Sequence, residues 1–273
     1  METLAHKKLE RLKCILKELG SAVIAYSGGV DSTFLIRVAH DVLDGKAIAI
    51  TAISPTYPES ETEDAIRFAK LIGIKHIVVQ SNEMDNPNFV SNPADRCYYC
   101  KSELFNICLN YAKQEGITVI LDGTNADDDH DYRPGRRAAK ELQVLSPLKD
   151  AGLTKEEIRQ LSYEMGLPSW DKPSFACLSS RFPYGTKITP ERLFMVGEAE
   201  KFLRSIGFRT FRVRYHHEIA RLELGNDEFN KILLPELKKN IVDKLKSLGF
   251  TYITIDLEGY RQGSMNELLK KQG

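Results

Sequence analysis

The sequence predicts an α/β fold, a parallel sheet with helices on both faces, followed by a small C-terminal α+β domain. Three observations predict it: β-rich runs alternate with longer helical runs from Ala22 to Val144, a Pro- and Ser-rich stretch breaks that rhythm, and a different order of elements follows Thr189-Pro190. Strands alternating with helices imply right-handed βαβ units and a mostly parallel sheet covered on both sides. Ligands of such sheets bind at the carboxyl ends of the strands.

The elements follow in order. Leu9, Leu12, Ile15, Leu16 and Leu19 recur at amphipathic-helix spacing, without the continuous apolar core of a signal peptide. AVIAY reads as a strand, followed by a helix through Val38; AIAITAIS is a second strand, followed by a helix around Ala65, Phe68, Ala69 and Ile72. HIVVQS, a helix near Leu104 to Ala112, and TVILDG continue the alternation. Thr154 and Glu157 form a capping box that opens a helix to Met165. LPSWDKPSFACLSSRFPYG then reads as an ordered connecting loop. Beyond it, Leu193, Val196, Ala199, Phe202, Leu203 and Ile206 mark a helix; FRVRY and IARLEL alternate as strands; Phe229 to Leu248 is helical with a bend at Pro235; and YITIDL is a third strand. The expected division is 1–168, a connecting loop over 169–189, and 190–273.

With 273 residues, 42% hydrophobic and 28% charged, the chain can hold two cores. Lys plus Arg and Asp plus Glu number 38 each, so a nucleic-acid partner would need a local basic patch, and no long basic tract occurs. No run of about 18 apolar residues is present, which excludes a membrane helix, and a cytoplasmic location is expected. Cys14, Cys97, Cys100, Cys108 and Cys177 are an odd set without an export signal, so a disulfide framework is not expected. Cys14 and Cys108 stand among helical apolar residues and read as core.

Ser27-Gly28-Gly29-Val30-Asp31-Ser32 sits between a strand and a helix. Glycine at that junction lets a phosphate approach backbone N–H groups at a helix amino terminus, and Ser27, Ser32 and Thr33 add hydroxyl donors. The Walker A lysine and the G-x-G-x-x-G fingerprint are both absent. A carboxylate beside phosphates repels them unless a cation bridges, so Asp31 points to Mg²⁺. A plain tight turn is the competing reading.

This string resembles the PP-loop of the ATP pyrophosphatases, an adenine nucleotide alpha hydrolase-like fold whose members cleave ATP between the α and β phosphates. Together with TAISPTYP (51–58), NPADRCYYCK (92–101), LDGTNADDDHDYRPGRRAA (121–139) and PSFACLSSRFPYG (173–185), it resembles the ATP-dependent sacrificial sulfur transferases that build the nickel-pincer nucleotide of lactate racemase. The resemblance runs from Leu19 to Gly259. It implies a pyridinium-3,5-biscarboxylic acid mononucleotide substrate, ATP and Mg²⁺, adenine lying near Ala52 and Ser54, and Gly123-Thr124-Asn125 closing the site. It also implies a homo-oligomer, a hexamer in the family, with transient contact to other nickel-pincer biosynthesis proteins.

The sulfur has two candidate sources. Cys177 can attack the acyl adenylate, with Arg181 four positions on to stabilise its thiolate if the segment is helical; its C–S bond is afterwards broken, leaving dehydroalanine. Alternatively Cys97 and Cys100, as two ligands from one loop, join Cys177 to hold a 4Fe-4S cluster with one iron open to an extra sulfide. Zinc or thioredoxin-like redox use of the C-x-x-C ranks below both.

Other candidates complete the expected site. Arg212 and Arg214 share a strand face that suits a phosphate or an oligomer-contact anion, with a solvated face as the competing reading. Lys101 is assigned to substrate carboxylate, and Ser180 and Arg181 to substrate. Glu200 and Glu223 read as surface residues ahead of an intersubunit metal site. A metal reading of His216-His217 is declined because neighbours on a strand face opposite ways. The acidic run Asp127-Asp128-Asp129 is no EF-hand, since the sixth and twelfth positions counted from Asp127 are Tyr132 and Ala138; a solvated acidic turn is the plain alternative. The rival functions are a cluster-dependent tRNA thiolase, an ammonia-using ligase like NAD synthetase, and a nucleotide-sensing module.

Overall fold

The computed structural model of the chain describes residues 3–130, 134–173, 176–261 and 263–267. In order, its elements are α1 (Leu4–Leu19), β1 (Ala22–Ala25), α2 (Val30–Leu43), β2 (Ala47–Ile53), α3 (Glu59–Ile72), β3 (Lys75–Gln80), α4 (Pro87–Val90), α5 (Arg96–Gln114), β4 (Ile120–Leu121), α6 (Gly135–Glu141), α7 (Pro147–Asp150), α8 (Lys155–Glu164), α9 (Pro190–Ser205), β5 (Phe211–His216), β6 (Ile219–Leu224), α10 (Pro235–Ser247) and β7 (Tyr252–Ile255). They fall into two units: Met1–Asp85 with Asp95–Phe175, and Asn86–Ala94 with Ala176–Gly273.

The first unit is a four-stranded parallel sheet in the order β3-β2-β1-β4. All four residues of β1 are buried, and their period of two divides them between opposite faces. Ala22 and Ile24 join Leu12, Leu16, Phe34 and Leu35 in one core; Val23 and Ala25 join Phe105, Cys108 and Ala112 in the other. Helices α1 and α2 therefore cover one face and α5 the other. The chain leaves β1 toward β2 on one side and meets β4 on the other, so the crevice for a ligand lies at the carboxyl ends of β1 and β4. Thr154 and Glu157 form the capping box expected at the start of α8.

The second unit is a three-stranded sheet, β5 antiparallel to β6 and β6 parallel to β7, with α9 and α10 supplying Leu193, Val196, Leu203, Ile241 and Leu245 to its buried residues. The short α4 segment groups with this unit: the Gly185 N–H donates to Asn92 O and the Ile188 N–H to Val90 O, each at 2.8 Å.

Three expectations are corrected. α10 begins only at Pro235, and the chain before it is a 3-10 turn over Lys231–Leu233; proline has no N–H to donate and suits the first helical position rather than a bend. The TVILDG run contributes only Ile120 and Leu121 as strand. Cys14 is exposed because it lies off the stripe defined by Leu9, Leu12 and Leu16, whereas Cys108 is fully buried and its thiol is pushed up to about 12 by desolvation.

Candidate active site

The glycine string connects β1 to α2 as expected. Gly28 has φ +68°, and a Cβ built there would lie 2.9 Å from the Cβ of Ala65 on α3, so glycine is required for both conformation and space. Gly29, at the N-cap of α2, keeps the helix amino terminus open, where N–H groups and the helix dipole favour an anion. Ser27 and Ser32 hydroxyls lie 3.1 Å apart, and the Ser32 hydroxyl donates to Gly29 O. The Tyr57 hydroxyl, from the turn after β2, donates to Ser27 O.

Gly123 closes the other side. A Cβ there would meet the Ser32 nitrogen at 3.1 Å, so the loop after β4 rests against the start of α2. Asp122 shapes that loop by accepting from the Thr124 N–H, the Thr124 hydroxyl and the Ser146 hydroxyl. Beyond β2, the Ser54 hydroxyl donates to buried Glu83, as does Thr56, so Ser54 orders its own turn while Ala52 stays half-buried.

Asp31 stands in the first turn of α2. Its Oδ2 accepts from Lys155 Nζ at 2.7 Å, and its Oδ1 is buried without a hydrogen-bond partner. An orphaned carboxylate oxygen beside a helix amino terminus fits a hard oxygen-seeking cation such as Mg²⁺. Within the acidic run, exposed Asp127 accepts from the Lys155 N–H through Oδ2, and buried Asp128 accepts from the Asn125 N–H. The Asp129 side chain and Tyr132 lie outside the described residues.

Cys97 and Cys100 do not sit in a loop; they lie in the first turns of α5, three residues apart on one helical face. Cys97 is exposed and Cys100 half-buried. Tyr98 donates to Glu141 at 2.6 Å, and Arg137 stacks 3.8 Å over its ring. Lys101 Nζ stands 5.3 Å over the Phe105 ring, and its stem packs where a Cβ on Gly135 would clash. Among the described residues, no group of three or more His, Cys, Asp or Glu is gathered to hold a metal ion. Within the first unit, the C-x-x-C places two thiols on one face of α5.

In the second unit, half-buried Cys177 is the N-cap of a 3-10 turn over Leu178–Arg181, tighter than the α-turn of the sequence expectation. Ser180 donates its hydroxyl and its N–H to Cys177 O. Arg181 is fully buried and forms a two-pronged pair with Glu200, both contacts at 2.8 Å. Its Nη1 reaches the carbonyls of Ala176 and Cys177. Burial opposes its charge, but Glu200, assisted by Cys177, outweighs that and holds the guanidinium above its ordinary pKa.

Glu200 and Glu223 are accordingly not surface residues: both are buried. Glu223 accepts from Arg214 Nη2 at 2.8 Å and from Arg221 at 3.1 Å. Arg214 is buried on its strand and also donates to Ser180 O and the Ser264 hydroxyl, which overturns the solvated-face alternative. Arg212 stacks 5.0 Å from the Tyr260 ring. Its pKa is lowered by burial and by Arg181. His217, at φ +55°, forms the turn between β5 and β6.

Sequence reasoning did not single out Lys155, Lys172, Tyr57 or Glu83. Lys155 meets Asp31 across 124 residues, a separation at which no local pattern exists. The capping box did mark where Lys155 enters α8.

A family model described as NAD synthase matches residues 7–91, the stretch holding the glycine string. An uncharacterised protein of Synechocystis is 48% identical over 97% of this chain and 98% of its own length. A protein of Lactiplantibacillus plantarum named pyridinium-3,5-bisthiocarboxylic acid mononucleotide synthase is 38% identical over 99% of this chain and 98% of its own. An uncharacterised protein of Methanocaldococcus jannaschii is 33% identical over 93% and 98%.

Proposed function

The chain belongs to the pyridinium-3,5-bisthiocarboxylic acid mononucleotide synthase family, and from that premise we propose that this ATP-dependent sulfurtransferase converts the carboxylates of pyridinium-3,5-biscarboxylic acid mononucleotide into thiocarboxylates. The observation that carries the reading is the glycine string, open at Gly29 and bounded by Asp31 with one orphaned oxygen.

A carboxylate oxygen is too poor a leaving group for sulfur to displace. Transfer of AMP from ATP to that oxygen makes it a good one and releases pyrophosphate. Ser27, Gly28, Gly29 and Ser32 bind the departing phosphates through hydroxyl and N–H donors, and the Lys155 ammonium offsets the repulsion between Asp31 and those phosphates. Mg²⁺, when bound through Asp31, adds charge neutralisation on the same phosphates. Ala52 and Ser54 are assigned to the adenine and Gly123-Thr124 to the closing loop. Arg212 and Arg214 are assigned to the substrate phosphate, and Lys101 to its carboxylate.

Cys177 then displaces AMP. Its sulfur becomes bonded to the acyl carbon; removal of the Cys177 Cα proton expels the thiocarboxylate and leaves dehydroalanine. Arg181 and Ser180 hold the Cys177 carbonyl and so fix the turn that presents the thiol. The first domain, 1–168, carries the nucleotide chemistry, 169–189 the sulfur, and 190–273 substrate binding and assembly into a homo-oligomer that contacts other cofactor-biosynthesis proteins.

A second reading is favoured by the placement of Cys97 and Cys100 on one face of α5. With Cys177 as third ligand, they would hold a 4Fe-4S cluster, which supplies an open coordination position for a transferable sulfide.

Anaerobic purification followed by iron, sulfide and intact-mass analysis tests both. A chain lighter by one H₂S after turnover establishes the sacrificial route; unchanged mass with stoichiometric cluster establishes the second. Full activity in Cys177→Ala overturns both and points to an ammonia-using ligase. Thiolation of tRNA in place of the pyridinium nucleotide points to a tRNA thiolase, and ATP binding without pyrophosphate release to a nucleotide sensor.

A further inference from the structure

Tyr57 and Glu83 have no part in the nucleotide, substrate or sulfur assignments, yet a chain of hydrogen bonds joins them to the glycine string. β2 ends at Ile53, and Ser54-Pro55-Thr56-Tyr57 forms a turn closed by the Tyr57 N–H on Ser54 O at 3.0 Å. Proline presets the second position of such a turn. From its far end, half-buried Tyr57 places its hydroxyl on the carbonyl oxygen of Ser27, 30 residues back in the chain.

Glu83, just past β3, fixes the same turn. Its Oε1 accepts from the Ser54 hydroxyl at 2.6 Å and the Thr56 hydroxyl at 2.5 Å, and Ser54 Oγ accepts from the Thr56 N–H at 3.2 Å. Glu83 and Thr56 are each 4% exposed. Moving the turn would strand the buried carboxylate, which costs more than a single solvated hydrogen bond is worth. The segment that carries Glu83 is fastened in its turn to α5: the Ser81 hydroxyl, at 3.0 Å, and the Asn82 N–H both donate to Glu103. All of these residues lie in the first unit.

The contact with Ser27 matters because of what shares its peptide. The Ser27–Gly28 peptide is planar and trans, so the Ser27 carbonyl and the Gly28 N–H point in opposite directions and turn together. Gly28, at φ +68° and without a Cβ, gives that peptide a freedom to rotate that another residue would restrict. A donor on the carbonyl therefore sets the aim of the N–H, one of those assigned above to the departing phosphates.

We propose that Tyr57 is a positioning residue for the pyrophosphate half of ATP, aiming the Gly28 N–H through the Ser27 carbonyl, and that Glu83 acts through Tyr57 by ordering its turn. The inference rests on the phosphate-binding part of the reading above. Fixed N–H donors stabilise a leaving group well because they need no reorganisation when its charge develops. A peptide left to rotate gives that advantage up.

The test uses the full chain with Mg²⁺ and reads two probes by calorimetry, inorganic pyrophosphate and adenosine. Tyr57→Phe removes only the hydroxyl; it is expected to bind pyrophosphate about tenfold more weakly and adenosine as the unaltered chain does. Glu83→Met should weaken pyrophosphate by a similar factor, and Glu83→Gln, which keeps an oxygen for both hydroxyls, should restore most of the loss. Y57F/E83M should bind no more weakly than Y57F alone. Because Glu83→Met strands two buried hydroxyls, S54A/T56V/E83M removes donors and acceptor together and takes its place if Glu83→Met does not fold. Unaltered pyrophosphate affinity in Tyr57→Phe overturns the inference, as does an equal loss of adenosine, which would mark general damage to the nucleotide site. Losses that multiply to about a hundredfold in the double variant overturn the relay from Glu83. An unaltered chain that binds no pyrophosphate overturns the inference together with the phosphate site, whereas one that binds it and forms no thiocarboxylate overturns the sulfurtransferase reading alone.

Discussion

Lys155 Nζ lies 2.7 Å from Oδ2 of Asp31 while Oδ1 of the same carboxylate is buried without a hydrogen-bond partner. The contact pairs the first residue of α8 with the first turn of α2, at the mouth of the parallel sheet. Both side chains are partly exposed, so the pair itself contributes little to stability. On the proposed function its role is with the phosphates: when they arrive, the ammonium can turn to them. A charge-assisted hydrogen bond is worth about 1.5–3 kcal/mol, so Lys155→Met should lower kcat/KM for ATP by about 10- to 100-fold with a melting temperature near that of the unaltered chain. Steady-state pyrophosphate release across ATP concentrations measures this; an unaltered kcat/KM removes Lys155 from the phosphate site.

Gly28→Ala faces two penalties at once. Its φ of +68° is strained for alanine, and the added Cβ meets Ala65 at 2.9 Å, backbone included. Nothing flexible is available to give way, because Ala65 lies in the middle of α3 and is buried. Overpacking of this kind costs about 1–3 kcal/mol and shifts the turn that carries the phosphate-binding N–H groups. The variant should unfold at lower denaturant and bind ATP weakly, by chemical denaturation and calorimetry respectively. Gly20→Ala, at a helix end with open space around it, is the control: it shares the positive φ and lacks the collision.

How much of this was legible in the sequence varies with distance along the chain. The glycine string, the alternation of strands and helices around it and the Thr154 capping box were readable because each depends on neighbours a few residues away. Glu200 and Glu223 were misread because their burial is determined by Arg181, Arg214 and Arg221; a glutamate carries no local mark of a buried partner. The C-x-x-C was placed in a loop because the apolar spacing of α5 becomes regular only from Leu104, although the helix begins at Arg96. Lys172 gave no signal, since its partners Glu61 and Asp64 lie more than a hundred residues earlier in the chain.

The Arg181–Glu200 pair should behave as a buried ion pair. Removing one partner leaves the other charge uncompensated, so Arg181→Met is expected to destabilise by about 3–5 kcal/mol, and R181M/E200L to recover much of that. Glu200 also gives the pair a pH signature. Burial raises its pKa, but Arg181 and the Val213 N–H outweigh burial and leave the folded value below 4.5. A depressed carboxyl contributes stability above the unfolded value and loses it as pH falls through the folded one. Urea midpoints of the unaltered chain should therefore fall with acid below about 4.5, and those of R181M/E200L should fall less. Equal acid sensitivity would mean that other carboxylates govern acid unfolding.

His76 sets a separate window at higher pH. Its ring packs edge-on against Tyr26 at 5.4 Å and bonds the Thr51 hydroxyl at 2.9 Å. That hydroxyl donates to Tyr26 O, so it must accept from His76, which fixes the proton on Nε2. Burial lowers the His76 pKa below 6.5. As pH drops past 6.5, the unfolded chain therefore takes up a proton before the folded one does. Stability from the neutral ring is complete above 6.5 and declines through the interval down to the folded value, where it levels off. His76→Gln keeps a donor for Thr51 and cannot titrate. Melting temperatures measured between about pH 8 and pH 5 should decline for the unaltered chain and decline less for His76→Gln, with the two curves converging in shape above 6.5. Parallel curves across the whole range would show that the ring is charged as easily in the folded chain as in the unfolded one.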